Sequence, residues 1–431
     1  MPIWNPEYEC LSRADMRALQ LTRLQSSVSW AYDNSPWYRA VLDKAQVSPR
    51  DVRSLDDLRR LPFTDKTALR DSYPFGLLAL PLRDIVRLHS SSGTTGKPVV
   101  VGYSRADLNA WTEVCARVAS MAGVVASDRV DMTFLYGMFT GGWGMHYGVE
   151  RIGATVIPAG AGSTERHLMM LADFGTTVFV GTPSYAIYLA EVGEKAGVDF
   201  ATLPIRLGLF GGEATSTKMR EEIEARLHIR ATDNYGLSEV GGPGVAGECE
   251  IGLGRHVNED HFYPEIVDPS SGEPVPFGEE GELVLTTLTK EAMPILRFRT
   301  HDLTRFVEGP CACGRTTVRI EPIRNRTDDM LIIRGVNVFP SQVEDILFSV
   351  EGTTPHYLLV VERKSGLDSL ELRIEIDARL FSDRMAPLVE MQEQISERVQ
   401  NVLGLRVQVT LVEPGSIERT QGKSKRVLDR R

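Results

Sequence analysis

The sequence predicts an α/β fold with more than one domain, and two changes of pattern along the chain support this prediction. Residues 105–210 alternate helical stretches with short apolar strands, which indicates parallel sheets covered by helices. The strands are predicted at residues 130–135, 155–157, 177–180 and 207–210. After residue 248 the strands become shorter and turn sequences separate them, so a β-rich part follows. Parallel α/β sheets bind ligands at the carboxyl ends of their strands, and we expect the functional site there.

The chain length also favours several domains, because 431 residues exceed what one hydrophobic core usually serves. We place a large N-terminal domain at residues 1–327, with a helical beginning and with its β-rich part at about 248–327. A small, mobile α+β domain follows at residues 328–431. Its helices are predicted at residues 341–350 and 386–402, and its strands at residues 357–361, 372–376 and 407–412.

The composition argues against several classes of protein. With 48 Lys and Arg residues against 58 Asp and Glu residues, the net charge is −10, which argues against a nucleic-acid surface. No window reaches the ~18 uninterrupted apolar residues that a membrane span needs. The N-terminal sequence lacks the regions of a signal peptide, so we expect a cytoplasmic protein. Five cysteines in a chain of this length favour free thiols or metal ligands over a disulfide framework.

A loop rich in hydroxyl groups and glycine lies between two apolar runs, at residues 85–88 and 99–101, that are typical of strands. Its glycines let successive backbone N–H groups face one concavity, and its hydroxyls and ammonium add donors, which suits a polyphosphate. The loop residues are Ser91, Ser92, Gly93, Thr94, Thr95, Gly96 and Lys97. The loop is not a Walker A sequence, because only two residues separate its glycines and Pro98 follows the lysine. A flexible linker is the alternative, and the flanking strands argue against it.

Four further motifs follow this loop, at residues 235–239 (YGLSE), 299–302 (RTHD), 326–329 (RTDD) and 422–423 (GK). Together with the loop, they resemble the motifs of the adenylate-forming superfamily, which includes acyl-CoA synthetases, adenylation domains and luciferases. Within this superfamily, the chain is most similar to the phenylacetate-CoA ligase branch. This second likeness is carried by residues 4–7 (WNPE), 260–265 (DHFYPE) and 330–340 (MLIIRGVNVFP). The resemblance covers essentially the whole chain.

The resemblance implies an ATP site. Besides the phosphate loop, it assigns nucleotide contacts to Gly212, Glu213, Asp233, Asn234, Tyr235, Gly236, Ser238, Asp302 and Arg326. Tyr235 is expected to stack on adenine, and Asp302 is expected to accept hydrogen bonds from both ribose hydroxyls. Two residues depart from the superfamily pattern, since His301 and Asn325 stand where glycine is usual.

Three residues match the catalytic positions of the superfamily. Lys423 would bridge the carboxylate substrate and the α-phosphate and would offset the charge that develops in the transition state. Glu239 would hold Mg²⁺ between the ATP phosphates, and Thr94 belongs to the phosphate loop. The alternatives are a basic C-terminal tail for Lys423 and an exposed surface glutamate for Glu239. Asp328 matches the hinge between the two domains.

Residues 134–139 end a predicted strand and carry three aromatic side chains beside two glycines, a mixture suited to surrounding a flat ring. The resemblance places an aryl-acid pocket here. The pocket residues that it implies are Tyr136, Phe139, Gly211, Gly212 and Tyr235. The alternatives are that the aromatic residues belong to the core and that the glycines form a tight turn.

A glycine-rich run at residues 242–247 matches the G-x-G-x-x-G pattern only formally. No predicted strand leads into it, and no apolar helix follows it, as a dinucleotide site requires. We therefore predict a mobile loop at these residues.

Cysteines at the two ends of the β-rich part indicate a structural metal site. Cys311 and Cys313 lie one residue apart before a turn, and Cys249 and His256 lie at the other end. Three thiolates and one imidazole would form a closed tetrahedral Zn²⁺ site that ties two loops together. His261 is the rival nitrogen ligand. The alternative is that the cysteines are ordinary thiols in a surface loop.

The reaction implied by the resemblance has two steps. An aryl or arylacetic acid reacts with MgATP to give an acyl-adenylate and pyrophosphate, and the CoA thiol then forms the thioester and releases AMP. Two alternatives stay open: transfer of the acyl group to the phosphopantetheine thiol of a carrier protein, and a nucleotide-binding regulator without catalysis. A homodimer also stays open.

Overall fold

The computed structural model describes residues 3–90, 98–323, 325–333, 336–364, 367–377, 385–418 and 426–431. The predicted phosphate loop, residues 91–97 with Thr94, lies outside the described residues, and so does Lys423. Their assignments therefore stay predictions.

The helices begin with caps that the sequence supplies. Several helices follow a serine or threonine whose hydroxyl accepts a hydrogen bond from the backbone N–H three residues later. These capping residues are Ser12, Ser104, Ser163, Thr182 and Ser216. The α-helices are α1 (Pro6–Glu9), α2 (Arg13–Asn34), α3 (Pro36–Lys44), α4 (Lys66–Asp71), α5 (Arg105–Ala122), α6 (Thr140–Ile152), α7 (Thr164–Asp173), α8 (Pro183–Lys195), α9 (Thr217–Leu227), α10 (Pro340–Phe348) and α11 (Met385–Leu403). Within the described ranges, no helix is long and apolar enough to cross a membrane.

Within the described residues, the strands form one large sheet and four smaller ones. In chain order they are β1 (Arg87–Ser90), β2 (Val100–Tyr103), β3 (Arg129–Met132), β4 (Thr155–Ile157), β5 (Val178–Gly181), β6 (Leu207–Phe210), β7 (Arg230–Tyr235), β8 (Ala246–Glu248), β9 (Arg255–Val257), β10 (Phe262–Val267), β11 (Gly281–Thr287), β12 (Phe298–Thr304), β13 (Phe306–Val307), β14 (Arg319–Ile320), β15 (Asn325–Arg326), β16 (Leu331–Ile333), β17 (Val336–Val338), β18 (Thr353–Lys364), β19 (Leu367–Ile376), β20 (Gln408–Val412) and β21 (Val427–Asp429).

The large sheet has the strand order β13-β14-β9-β8-β7-β6-β5-β3-β4. Strands β4, β3, β5, β6 and β7 pair in parallel, and the pairs from β7 to β13 are antiparallel. Every residue of β5 and β6 is buried, as expected for parallel strands that are covered on both faces. The predicted α/β layers are confirmed.

The smaller sheets are mainly antiparallel. Strands β10-β11-β12-β15 form the sheet of the β-rich part, while β20-β19-β18-β21 form the sheet of the C-terminal part. Strands β1 and β2 pair as an antiparallel hairpin, with Ser90 opposite Val100. The predicted phosphate loop is the connection between these two strands.

The apolar side chains form separate cores. One large core joins the N-terminal helices, the parallel strands and the β-rich sheet. A second core, which runs from Leu331 to Val409, contains only residues of the C-terminal part. The division at residues 327–328 agrees with these cores but stays a prediction.

The mobile loop predicted at residues 242–247 is wrong. These residues are buried, and β8 begins among them. Trp111 Nε1 and Cys115 Sγ, both on α5, donate to Pro243 O at 2.9 Å and 3.2 Å. A Cβ atom at Gly244 would lie 2.8 Å from a side-chain atom of α5, so the glycine is required for this close approach.

A buried ion pair connects α5 to the segment before β10. Arg117 is 2% exposed, and its Nη1 donates to Asp260 Oδ1 at 2.7 Å. Its Nε donates to Glu113 Oε1, one turn earlier on the helix, at 3.3 Å. The guanidinium therefore compensates a carboxylate that has almost no contact with water.

We expect Arg117→Met to destabilise the large domain by about 3–5 kcal/mol, because removing one partner leaves the other charge buried. Chemical denaturation followed by tryptophan fluorescence measures this loss as a lower midpoint. Arg83→Ala is the control, because the Arg83 side chain is 83% exposed and lies 3.9 Å from Asp84, so its ion pair contributes little. Equal midpoints for the two variants would contradict the role of the buried pair.

Candidate active site

Four parallel strands end side by side, and the segments that follow them carry part of the predicted nucleotide and acyl sites. The strands are β3, β5, β6 and β7, and their last residues are Met132, Gly181, Phe210 and Tyr235. Because neighbouring strands run in parallel, their carboxyl ends share one edge of the sheet. This edge carries residues 133–139, 211–213 and 236–239.

Two glycines after β6 leave a strip of bare backbone at this edge. Asn234 Nδ2 donates to Phe210 O at 2.6 Å, and a Cβ atom at Gly211 would lie 2.9 Å from that nitrogen. Gly212 has a φ of 82°, and a Cβ atom there would lie 4.0 Å from the ring of Phe134. An aromatic ring thus borders open backbone, an arrangement that accepts a flat ligand.

Asp302, the predicted ribose ligand, is buried and joins the large sheet to the β-rich sheet. Tyr235 Oη donates to Asp302 Oδ2 at 2.5 Å, and Arg326 Nη1 donates to Asp302 Oδ1. Burial and the charge of Asp302 raise the pKa of Tyr235 well above its ordinary value. The tyrosine hydroxyl therefore keeps its proton and acts as the donor.

Arg326 also holds the predicted hinge residue. Its Nε and Nη2 donate to Asp328 Oδ1 and Oδ2 at 2.8 Å and 3.0 Å. Burial raises the pKa of Asp328, but the hydrogen bond and charge of Arg326 outweigh burial, so the pKa is lower than usual. One guanidinium therefore connects the predicted ribose carboxylate to the predicted hinge.

The two residues that replace glycine are both bonded beside this hinge. His301 has a φ of 65°, in the left-handed region that glycine adopts more readily. Its carbonyl oxygen accepts from Thr327 N at 2.8 Å, and its Nδ1 lies 3.0 Å from Thr327 Oγ1. Asn325 Oδ1 accepts a hydrogen bond from Ser341 Oγ on α10. These contacts attach β15 and the residue that follows it to β12 and to α10.

Two other predicted nucleotide residues bond to residues of the protein itself. Asp233 forms an ion pair with Arg255, and both side chains are buried. Glu213 Oε2 accepts from Ser184 N at 3.3 Å. Arg255 on β9 was not predicted, because its partner Asp233 lies on a different strand, β7, and no motif joins the two residues. The nucleotide contacts of Asp233 and Glu213 stay predictions.

Glu239 lies in a buried 3₁₀ turn, Ser238–Val240, and is 5% exposed, so the alternative of an exposed surface glutamate is wrong. Lys290 Nζ donates to the backbone oxygen of Glu239 at 3.3 Å. Ser238 Oγ and Thr140 Oγ1 lie 2.9 Å apart, which fixes the start of the turn. Burial lowers the pKa of Lys290 to about 8. Lys290 has no motif of its own and was not predicted from the sequence.

Two of the three aromatic residues predicted for the acyl pocket, Tyr136 and Phe139, differ in their surroundings. Tyr136 Oη lies 2.9 Å from His146 Nδ1, and its ring packs edge-on against Trp143 with centroids 5.1 Å apart. Phe139 precedes α6 and is 41% exposed. Phe134, the third aromatic residue of the run 134–139, was not among the predicted pocket residues, and it borders the bare backbone strip. The pocket assignment stays a prediction.

The four predicted zinc ligands lie together. Cys249, His256, Cys311 and Cys313 are buried, and their ligand atoms lie within 4.8 Å of one another. The Sγ atoms of Cys249 and Cys311 are 3.6 Å apart, and Cys313 Sγ lies 3.4 Å from His256 Nε2. His261, the rival ligand, is outside this group, and its Nδ1 lies 2.7 Å from a threonine hydroxyl.

The thiols of this group differ in acidity. Burial raises the pKa of Cys313, but the hydrogen bond to His256 and the N–H of Arg315 outweigh burial, and the pKa is lowered. Burial raises the pKa of Cys249. One thiolate beside one imidazole, with two further thiols in reach, has the chemistry of a Cys₃His metal site.

Two family descriptions match this chain. The AMP-binding enzyme family matches residues 19–288, and the AMP-binding enzyme C-terminal domain matches residues 335–431. The chain belongs to the AMP-binding enzyme family.

Among individual relatives of this AMP-binding enzyme, the phenylacetate-coenzyme A ligase of Thermus thermophilus is 46% identical, and the alignment covers 100% of both chains. The phenylacetate-coenzyme A ligase of Escherichia coli is 47% identical over 98% of this chain and 97% of its own. The predicted likeness to this branch is confirmed.

Solved structures support the fold and describe the arrangement of the domains. A 2-hydroxyisobutyryl-CoA ligase in the postadenylation state is 32% identical to this AMP-binding enzyme, with a TM-score of 0.93 and coverage of 100% of this chain and 94% of that one. The same ligase in the thioesterification state gives a TM-score of 0.73. The described arrangement is therefore more similar to the first state. In this arrangement His356 Nε2 of β18 lies 3.0 Å from Glu191 Oε1 of α8.

Proposed function

We propose that this AMP-binding enzyme is an acid–thiol ligase that activates phenylacetate with ATP and transfers the acyl group to CoA. The observation that carries the proposal is the 46% identity to a phenylacetate-coenzyme A ligase over the whole length of both chains. The aromatic residues beside the bare backbone strip support an aryl acid. The buried carboxylates Asp302 and Glu239 support a nucleotide site.

In the first step, a carboxylate oxygen of phenylacetate attacks the α-phosphorus of ATP, and the bond to pyrophosphate breaks. Lys423 and the loop that contains Thr94 would offset the charge that develops on the phosphates. Mg²⁺ held by Glu239 would neutralise further phosphate charge. In the second step, the CoA thiol loses its proton and attacks the carbonyl carbon. The carbon–oxygen bond of the adenylate breaks, and AMP leaves.

We propose that Asp302 accepts hydrogen bonds from the ribose, with Tyr235 and Arg326 fixing its two oxygens. A carboxylate has several acceptor positions, so Asp302 can accept from ribose hydroxyls as well as from protein donors. Gly212, Asn234 and Gly236 would border the adenine. The two half-reactions need different surroundings at one site, which supports a mobile domain at residues 328–431 with its hinge at Asp328.

Free CoA is the preferred acceptor in this proposal. The relatives that match over the full length have coenzyme A ligase names. A fatty acid–acyl-carrier-protein ligase of Streptomyces coeruleorubidus is 28% identical over only 45% of this chain. Transfer to a carrier protein is therefore the second candidate, and comparison of turnover with free CoA and with carrier proteins distinguishes them.

We also propose that Cys249, His256, Cys311 and Cys313 hold a structural Zn²⁺. A closed set of four ligands leaves no position for a reacting water, so the ion would stabilise the fold. It would join the segment after β8 to the segment between β13 and β14. The two segments lie far apart in the sequence, so the complete ligand set forms only when the chain is folded. The free energy of metal binding would therefore add to the free energy of folding.

We expect phenylacetate to support AMP release with ATP and CoA, while short aliphatic acids support little. The physical reason is that an aromatic ring fills a pocket bordered by aromatic side chains, whereas a short chain leaves it empty. A screen of aryl, arylacetic and aliphatic acids measures this. AMP release with aliphatic acids alone would contradict the proposed substrate class.

We expect Tyr235→Phe to raise KM for ATP about tenfold, because a hydrogen bond to a charged group contributes about 1.5–3 kcal/mol. The KM for phenylacetate should change less. Tyr32→Phe is the matched control, since Tyr32 Oη donates to Asp43 at 2.8 Å on the exposed surface. An unchanged KM for ATP in Tyr235→Phe would show that this hydroxyl does not support a nucleotide-binding carboxylate.

Metal analysis of the purified chain should find about one zinc per chain, as a closed four-ligand site predicts. Cys311→Ser should lose the zinc and unfold at a lower temperature. Cys115→Ser is the control, because Cys115 is buried outside the group and a serine can still donate to Pro243 O. A metal-free wild type whose thiols react freely would exclude the site.

A further inference from the structure

A buried histidine–aspartate pair lies beneath the aromatic side of the proposed acyl pocket. His167 on α7 and Asp131 on β3 are both 0% exposed, and His167 Nδ1 lies 2.7 Å from Asp131 Oδ2. His167 Nε2 lies 3.1 Å from Gly160 O. We infer that His167 positions Gly160, and through it Tyr136, and so sets the shape of the acyl pocket. This inference rests on the proposed aryl-acid activity.

The surroundings of His167 determine where its protons lie. Gly160 O can only accept, so Nε2 carries a proton and donates it to this oxygen. A second proton lies between Nδ1 and Asp131 Oδ2, on either the imidazole or the carboxyl group. Burial raises the pKa of Asp131, although the hydrogen bond to His167 opposes this shift. In both cases the pair is neutral in total, which suits a site without water.

Gly160 transmits this restraint to Tyr136. Its N–H donates to Met132 O at 2.8 Å, and its φ is 67°. A Cβ atom at Gly160 would lie 3.3 Å from Tyr136 Cδ2, so the tyrosine ring packs directly against this backbone. The Tyr136 hydroxyl is held separately by His146 on α6. The ring is thus supported at its hydroxyl by α6 and along its side by the backbone that His167 holds.

A pair that served only stability would lower the fraction of folded enzyme and leave both KM values unchanged, whereas a positioning residue would raise KM for the acid. Substitution at Asp131 separates these roles further. In Asp131→Asn the amide can donate to Nδ1 of a neutral imidazole, whose Nε2 proton still reaches Gly160 O. In His167→Phe, both hydrogen bonds are lost while the ring volume is kept. The two variants therefore differ in the restraint on Gly160.

The test measures KM for phenylacetate and KM for ATP in both variants. We expect His167→Phe to raise KM for phenylacetate about tenfold, the equivalent of about 1.4 kcal/mol, with KM for ATP nearly unchanged. Asp131→Asn should stay close to wild type in both constants. A loosened Tyr136 ring should also improve turnover of para-substituted arylacetic acids relative to phenylacetate. Arg117→Met, which removes a buried pair elsewhere, is the control for lost stability and should leave both KM values unchanged.

Gly160→Ala tests the same support without changing the buried pair. The added methyl group strains a positive φ and presses on Tyr136, so the same selective rise in KM for phenylacetate is expected. Unchanged KM for phenylacetate in Gly160→Ala, or an equal rise for both substrates in His167→Phe, would overturn the inference. If wild type turns over another acid but not phenylacetate, the proposed substrate is wrong. The same comparison with that acid then decides the role of His167.

Discussion

The arrangement of the site depends on the buried carboxylate of Asp302, which is 3% exposed. A buried carboxylate costs several kcal/mol in lost hydration unless its oxygens are bonded, and here Tyr235 and Arg326 each bond one oxygen. Tyr235 ends β7 of the large sheet, while Asp302 and Arg326 face each other on β12 and β15. The hydrogen bonds that compensate this one charge therefore hold the large sheet and the β-rich sheet together at the proposed nucleotide site.

The same guanidinium connects that charge to the proposed hinge. Arg326 donates hydrogen bonds both to Asp302 and to Asp328. Movement at Asp328 would therefore shift the Arg326 guanidinium, which is bonded to the proposed ribose ligand. The C-terminal part has its own apolar core, as the proposed mobile domain requires, because its internal packing would then stay the same while its contacts with the rest of the chain changed. The contact between His356 and Glu191 belongs to the described arrangement and would break in a different one.

Much of the fold followed from local sequence patterns. Buried parallel strands consist of apolar residues, and helices show capping residues and a helical spacing of their apolar residues. Glu239 and Asp302 were selected because their motifs resemble those of the superfamily, and the Cys₃His group was selected from its residue types and their spacing. The partners Arg255 and Lys290 did not, since long-range contacts with no motif leave no trace in one sequence. The error at residues 242–247 has a clear cause: glycine there serves close packing against α5, and composition alone resembles a loop. The choice between His256 and His261 likewise depended on strand pairing that brings only one imidazole to the thiols.

The central claim is that the acid is activated as an acyl-adenylate, and the transfer of oxygen tests it most directly. Phenylacetate labelled with heavy oxygen in its carboxylate would be turned over with ATP and CoA, and the AMP analysed by mass spectrometry. Carboxylate attack on the α-phosphorus predicts that each AMP carries one labelled oxygen, because thiol attack then breaks the carbon–oxygen bond. Unlabelled AMP, or ADP and phosphate as products, would contradict the claim.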